Sequence, residues 1–266
     1  MNILEIKNLN VSFKQYMKGL KRREVQVVHD LNLEVRENEI FAIFGASGSG
    51  KSILAHAVLK LLPYNAKVTG EILYKDREIT DKNIESLRGS DIWLIPQTVN
   101  SLNPLSKIKD QTRINLSKDK YALQEKVYSD FGLDKNVLEL YPHELSGGMA
   151  RRVLVADAIL SDADLLIADE PTPGMDKNST VEIIDMFKAK KESGKTIVLI
   201  THDMEMALKC ADRIGIFYDG TIIEVFDTKK FLDGEDVLTN TYAKMLIRAM
   251  PEREFKAPTL EEMEEL

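Results

Sequence analysis

The chain has 266 residues, 44% hydrophobic and 30% charged, the balance of an ordinary globular protein with one large domain or one domain and a subdomain. Its 36 basic and 43 acidic residues leave a net charge of −7, which argues against a chain-wide affinity for nucleic acid. The single cysteine, Cys210, excludes an internal disulfide and a thiolate zinc site; the four histidines are too scattered to suggest a metal cluster, and no run approaches the roughly 20 apolar residues that span a bilayer. The opening Met1–Glu5 lacks the basic and apolar pattern of a secretory leader, so any membrane role is expected to come through a partner.

Residues 3–13 and 25–36 alternate apolar and polar positions and read as antiparallel strands with one wet face. Between them lies the one basic run, Lys18 to Arg23, read as a solvated hairpin loop because no aromatics are interleaved. Ile40–Phe44 is a continuous apolar run, as expected of a strand covered on both faces. It enters Gly45-Ala46-Ser47-Gly48-Ser49-Gly50-Lys51-Ser52, which matches G-x-x-x-x-G-K-[ST]. Glycines in such a loop bring backbone N–H groups close to phosphate oxygens, and the helix that follows adds its positive end. Lys51 is placed to reach β- and γ-phosphates, and Ser52 to ligate Mg²⁺. The helix is expected to carry Ile53, Leu54, Ala57, Val58, Leu61 and Leu62 and to stop before Pro63, with His56 structural.

Gly70–Leu73 reads as a further antiparallel strand, and Trp93 as core. Residues 100–145, rich in Lys, Asp, Ser and Asn, read as a helical insertion with an apolar stripe at Leu123, Val127 and Phe131. Met149, Val153, Ala156 and Leu160 form the next stripe. Leu165–Ala168 is another buried strand, ending in Asp169 and Glu170. Two carboxylates at an apolar strand end opposite a phosphate loop suit Mg²⁺ organisation by Asp169 and polarisation of an attacking water by Glu170. His202 follows the third buried strand, Thr196–Ile200, and reads either as a γ-phosphate contact or as a structural histidine. Beyond about residue 230 the pattern turns helical, then acidic, and the last ten or so residues read as a mobile tail. Alternating strand and helix patterns give an α/β fold with a largely parallel sheet.

One segment stands between the phosphate loop and the acidic strand: Leu145-Ser146-Gly147-Gly148-Met149, at a helix start. With it, the chain resembles the ATP-binding cassette (ABC) ATPases over roughly residues 3–230. The resemblance implies a phosphate-loop core with a RecA-like parallel sheet, an antiparallel β subdomain and a helical subdomain. It implies an ATPase domain over 1–240, with the helical subdomain at about 98–160, followed by a C-terminal helical segment and acidic tail over 241–266. ATP and Mg²⁺ are the implied ligands, with Gly45 to Ser52 and Gln97 at the nucleotide and Ser52, Gln97 and Asp169 at the metal. Lys51, Glu170 and His202 are the implied catalytic groups, His202 as the switch histidine. Ser146, Gly147 and Gly148 are implied to cap the γ-phosphate held by a partner subunit, and Asp176 to contact that partner, in a head-to-tail pair with two ATP molecules between the chains.

A narrower likeness rests on Ser101-Leu-Asn-Pro104 after Gln97, Tyr141-Pro-His-Glu144 before the Leu145–Met149 segment (the signature), Met149 where most cassettes have Gln, and Thr241 to Pro251 past the core. These resemble the oligopeptide, dipeptide and nickel importer subfamily. The implied partners are a second, different ATPase subunit, two membrane permeases and, indirectly, an extracytoplasmic substrate-binding protein, with no nucleic acid. The chain would then lie peripherally on the cytoplasmic face of the cell membrane and power uptake of peptides, nickel or a metal chelate. The cysteines that hold an iron–sulfur centre in many oligopeptide members are not matched here. Pro173-Gly174-Met175 departs from the usual run before Asp176, and Arg151 replaces a commoner glutamine. The slot of the adenine-stacking aromatic holds Val25, with Phe13 and Tyr16 as substitutes. Two other readings use the same chemistry: a non-transport ATPase acting on DNA or ribosomes, and a regulatory protein with a degenerate site.

Overall fold

The structure, a computed structural model, describes residues 1–16, 22–114, 116–234 and 236–248. In chain order its elements are β1 (Asn2–Tyr16), β2 (Arg22–Arg36), β3 (Ile40–Phe44), α1 (Lys51–Val58), β4 (Ala66–Tyr74), β5 (Arg77–Glu78), α2 (Ile84–Leu87) and β6 (Ile92–Ile95). Then follow α3 (Ile108–Thr112), α4 (Tyr121–Asp130), α5 (Gly147–Leu160), β7 (Leu165–Asp169), α6 (Lys177–Glu192), β8 (Thr196–Thr201), α7 (Met204–Cys210), β9 (Arg213–Tyr218), β10 (Thr221–Asp227), α8 (Thr228–Leu232) and α9 (Thr241–Arg248). Short 3-10 turns punctuate the stretch from β6 to α5.

The two alternating segments pair as expected, in an antiparallel sheet ordered β2-β1-β4-β5. The alternation in β1 changes parity partway: Leu4 and Ile6 face inward, then Leu9 and Val11. A register shift between Ile6 and Leu9 accounts for this, with Asn8 at the irregularity in left-handed conformation (φ 49°). Gly70 of β4 lies against it. A Cβ there would meet the Asn8 carbonyl oxygen at 2.5 Å, and the residue's φ is 103°, so the position tolerates only glycine.

The second sheet is ordered β10-β9-β3-β8-β7-β6, with only β10 antiparallel to its neighbour. Its apolar runs are continuous because both faces are covered. Ile40, Ala42, Phe44, Leu166, Ala168, Ile197 and Leu199 point into one core, which also contains residues of α5, α6 and α7. Phe41, Ile43, Leu165, Ile167, Val198 and Ile200 point into the other, shared with α1 and the antiparallel sheet.

Several expectations need correction. The helix after the phosphate loop stops before Pro63 as expected but ends already at Val58, short of Leu61 and Leu62. Lys60 turns left-handed (φ 49°), and Arg88 donates from Nε and Nη2 to the Leu59 carbonyl (2.9 and 2.6 Å) and from Nη2 to that of Lys60 (2.9 Å). A guanidinium from another element thus takes the freed carbonyls and ends the helix early. At α4 the expected Phe131 is buried as the C-cap residue and Val127 packs against the core, but Leu123 is 47% exposed and the buried positions within the helix are Gln124 and Tyr128. The reason is a polar hub. Gln124 accepts from Arg113 (2.7 Å) and donates to Thr112 (2.8 Å), and the Tyr128 hydroxyl donates to Asp157 of α5 (2.9 Å). Burial pushes the Asp157 carboxyl up to about 8.

Trp93 is only partly buried, on β6 at the sheet edge. β6, β9 and β10 were not separate expectations. The helix stripe from Met149 to Leu160 forms α5. Its C-terminal end is held by Lys190 of α6, whose Nζ donates to the carbonyls of Ile159 (2.7 Å) and Ser161 (2.5 Å). Burial pushes that amine down to about 8. Of the C-terminal segment, Thr241–Arg248 is helical and packs Ala243, Met245 and Ile247 inward. The acidic tail lies outside the described residues, as does most of the basic run from Lys18.

Candidate active site

The order of the parallel strands decides which side chains meet. Along the carboxyl edge of the sheet, β6, β7, β8 and β3 lie side by side, with Ile95 against Ala168, Asp169 against Ile200, and Phe44 against Thr201. Gln97 follows β6, Asp169 ends β7 and Glu170 follows it, His202 follows β8, and the glycine loop follows β3. Four segments distant in sequence therefore share the edge where open α/β sheets bind ligands.

Gly45 passes so close to β9 that a Cβ would lie 2.4 Å from the Phe217 carbonyl oxygen. Gly50, at φ 106°, turns the chain into α1 as its N-cap, without a side-chain cap and without an acidic residue in the first turn. The first amides of α1 thus remain available to an anion, next to the positive helix end. Ala46, Ser47 and Gly48 are exposed, and nothing lies within 4 Å of a Cβ at Gly48. Lys51 is buried and folds back across the loop, donating from Nζ to the carbonyls of Gly45 (2.8 Å) and Ala46 (2.7 Å). Burial lowers its pKa, against the pull of Glu170 and Asp169.

Asp169 is 1% exposed and accepts from the Ser52 hydroxyl at 3.1 Å. Burial raises its pKa, the Ser52 hydrogen bond opposes this, and the neighbouring Glu170 adds to it. A buried carboxylate beside a hydroxyl is a pair of hard oxygen donors that a divalent cation would relieve, and two protein oxygens suit Mg²⁺ carried in on phosphates. Glu170 is also buried, and its backbone is left-handed (φ 49°), a conformation that costs a non-glycine residue about 1–2 kcal/mol. Its amide donates to the Ile200 carbonyl (2.9 Å), and its carboxylate oxygens both lie 2.8 Å from Nδ1 of His202. The turn takes Glu170 out of the strand direction and onto the histidine of the next strand. Neither spacing nor composition foretold that contact.

The remaining candidates lie around this centre. Gln97 is exposed, and among the described residues its side chain makes no hydrogen bond to Ser52 or Asp169; its carbonyl instead receives Arg151. Ser146 caps α5 by accepting from the Met149 amide (3.2 Å). Ser146 and Gly147 are exposed, and a Cβ at Gly147 or Gly148 would meet nothing within 4 Å. Asp176 caps α6, accepting from the Ser179 amide (3.0 Å) and hydroxyl (2.8 Å), which hold its pKa below the usual carboxylate value. Arg152 of α5 lies 3.6 Å from it. Gly174 supplies the left-handed turn (φ 77°) ahead of that cap.

Residues 28–173 match the family described as ABC transporter. The chain belongs to the ABC transporter family. It is 35% identical to the oligopeptide transport ATP-binding protein OppD of Lactococcus lactis subsp. cremoris (strain SK11), over 95% of this chain and 77% of that protein. To the dipeptide transport ATP-binding protein DppD of Bacillus subtilis (strain 168) it is 34% identical, over 94% and 77%. To the glutathione import ATP-binding protein GsiA of Escherichia coli (strain K12) it is 30% identical, over 94% of this chain and 42% of that one. Among solved structures, the ATP-binding cassette MJ0796, a dimer in a post-hydrolysis state bound to ADP and Pi, superposes with a TM-score of 0.72 at 25% identity, over 85% of this chain and 98% of that one. The ATP-binding subunit of another ABC transporter, at 22% identity, shares the fold with a TM-score of 0.74, over 92% and 98%.

The α/β class read from the sequence is that of these cassettes, and the chain is an ABC-type ATPase. Within the ABC fold, Val25 faces Phe13 across the β1–β2 pair, and Phe13 is partly buried against the core beneath that sheet. The side chain of Tyr16, the other candidate for adenine, lies outside the described residues. Among the described residues, no helix is long and apolar enough to cross a membrane.

Proposed function

We propose that this ABC ATPase is the hydrolysing subunit of a membrane importer, working as one half of a head-to-tail pair. The observation that carries the reading is the carboxyl edge of the sheet: a glycine loop open to solvent, a buried Ser52–Asp169 oxygen pair, and Glu170 held by His202. Gly45 to Ser52 would bind the phosphates of ATP through backbone amides, with Lys51 leaving its own loop carbonyls for β- and γ-oxygens. Ser52 and Asp169, with Gln97, would hold Mg²⁺, which when bound offsets phosphate charge. Glu170 would accept a proton from the attacking water, with His202 orienting its carboxylate through Nδ1 and leaving Nε2 to meet the γ-phosphate. In the folded chain Ser146 and Gly147 face solvent and Gly148 is half-buried beside them, which suits donors that serve the nucleotide of a second subunit, with Asp176 reaching toward that subunit.

Cargo follows from the relatives' names, which specify oligopeptides, dipeptides and glutathione; peptides are therefore favoured over nickel or a metal chelate. A second, different cassette, two permeases and an extracytoplasmic binding protein complete the proposed assembly, with this chain peripheral on the cytoplasmic face of the membrane. Residues 97–110 would receive a short permease helix; Leu105, 87% exposed there, is an apolar anchor in waiting.

Affinity capture of the chain from its native membrane, with bound proteins identified by mass spectrometry, tests the reading. The expected recovery is two permeases and a second cassette. Recovery of ribosomal or DNA-repair proteins alone would overturn import and favour a non-transport ATPase.

A further inference from the structure

Arg151 has no part in the chemistry above, yet it is among the most deeply buried charges in the chain. It lies one turn into α5 and is 6% exposed. Its terminal nitrogens cross to the end of β6, where Nη1 donates to the Pro96 carbonyl at 2.6 Å and Nη2 donates to the Gln97 carbonyl. Its Nε is buried without a partner. Among the described residues no carboxylate pairs with it directly; Asp169 and Glu170 act on it only through space. A buried cation held by two carbonyls in place of a carboxylate is a costly arrangement, and what it secures is geometry.

The Pro96 carbonyl belongs to the peptide plane before the Gln97 Cα, and the Gln97 carbonyl to the plane after it. Holding both planes fixes φ and ψ of Gln97, and with them the direction of its side chain. The planar fork of a guanidinium does this with two donors at set spacing, which neither the point charge of a lysine nor the single amide of a glutamine can reproduce. The same helix, about 6 Å further toward its N-terminus at 1.5 Å per residue, carries Ser146–Gly148.

We propose that Arg151 is a positioning residue for ATP hydrolysis, locking the backbone of Gln97 to the signature helix so that the hinge into the helical insertion and the signature move as one body. The proposal rests on the reading of Gln97 as a residue that meets the nucleotide and its Mg²⁺, placed just after β6 where the chain enters the helical insertion. A γ-phosphate that draws Gln97 inward would thereby move the signature end of α5 toward its place in the pair, and pairing would in turn draw Gln97 toward the phosphate.

Hydrogen exchange of the full chain without nucleotide tests the lock, independently of what Gln97 does. Arg151→Gln is expected to speed exchange of amides in 96–103 by about tenfold or more, while β7 and β8 keep their protection. Arg151→Lys should fall between, and it carries the test if the glutamine variant melts below the assay temperature. In the assembled complex Arg151→Gln should lower kcat about tenfold with KM for ATP within about threefold, and combining it with Gln97→Ala should cost no more than Gln97→Ala alone. Unchanged exchange in 96–103 overturns the lock. Faster exchange with wild-type kcat for Arg151→Gln overturns its part in hydrolysis. Faster exchange with lowered kcat for Arg151→Gln but wild-type kcat for Gln97→Ala leaves the lock standing and overturns the reading of Gln97.

Discussion

Exchanging Glu170 for glutamine is expected to lower ATP turnover by about 10²–10⁴-fold, the span of a lost general base, while leaving nucleotide binding intact. The change removes one basic oxygen and keeps the shape. Glu170 is buried and turned by its left-handed backbone onto His202, so the glutamine amide should occupy the same place. The groups proposed to bind phosphate lie elsewhere, in the loop after β3 and the first turn of α1, and are untouched. Bound ATP should then persist, and with it the closed pair of subunits, because the contacts that favour closure are lost only on hydrolysis. Phosphate release at saturating ATP, together with the mass of the complex in ATP and in ADP, checks both halves. A wild-type rate would remove Glu170 from the chemistry.

Replacing Lys51 with methionine is expected to abolish the ATP-induced rise in melting temperature without lowering the melting temperature of the nucleotide-free chain by more than about 2 °C. For the wild type, ATP at a hundredfold its Kd contributes about 2.7 kcal/mol, or about 5–10 °C for a chain of this size. Lys51 is a buried amine whose pKa burial lowers. A lysine disfavoured as a cation in the fold opposes folding at neutral pH, below its unfolded pKa, so an apolar side chain of similar length relieves that penalty. The hydrogen bonds to Gly45 and Ala46 are lost in exchange, which holds the nucleotide-free effect near zero. The bound state has no such offset, since the phosphates lose their one buried cation from α1. A persisting ATP-induced rise would show that Lys51 is dispensable for binding.

Much of the site was legible because its signals are local. The loop Gly45–Ser52 lies between an apolar strand and a helix in one short stretch, and Asp169 and Glu170 end a strand whose two faces are both buried. Other features needed the third dimension. The early end of α1 depends on Arg88, 29 residues on. Of the expected stripe on α4, Phe131 is buried and Val127 packs against the core, but Leu123 is exposed; Gln124 and Tyr128 are buried instead, satisfied by Arg113, Thr112 and Asp157 in a polar hub that hydrophobic periodicity cannot register. The bulge at Asn8 shifts the inward positions of β1 from Leu4 and Ile6 to Leu9 and Val11, and because each half alternates on its own the segment reads as one unbroken strand. Arg151 stood out in sequence only as a departure, since its contact with Gln97 joins positions 54 apart. The hold of His202 on Glu170 depends on a left-handed turn that no side-chain pattern announces.

The central claim is that the nucleotide site is divided between two chains, with Lys51 and Ser146 of one subunit serving different ATP molecules. The most direct measurement is the ATP-induced melting shift of the isolated chain carrying Ser146→Arg, taken relative to that variant's own nucleotide-free melting temperature so that loss of the α5 cap cancels. The account predicts a shift equal to that of the wild type, because the signature does not touch the nucleotide bound by its own loop. Loss of the shift would place Ser146 at the same nucleotide as Lys51 and contradict the divided site.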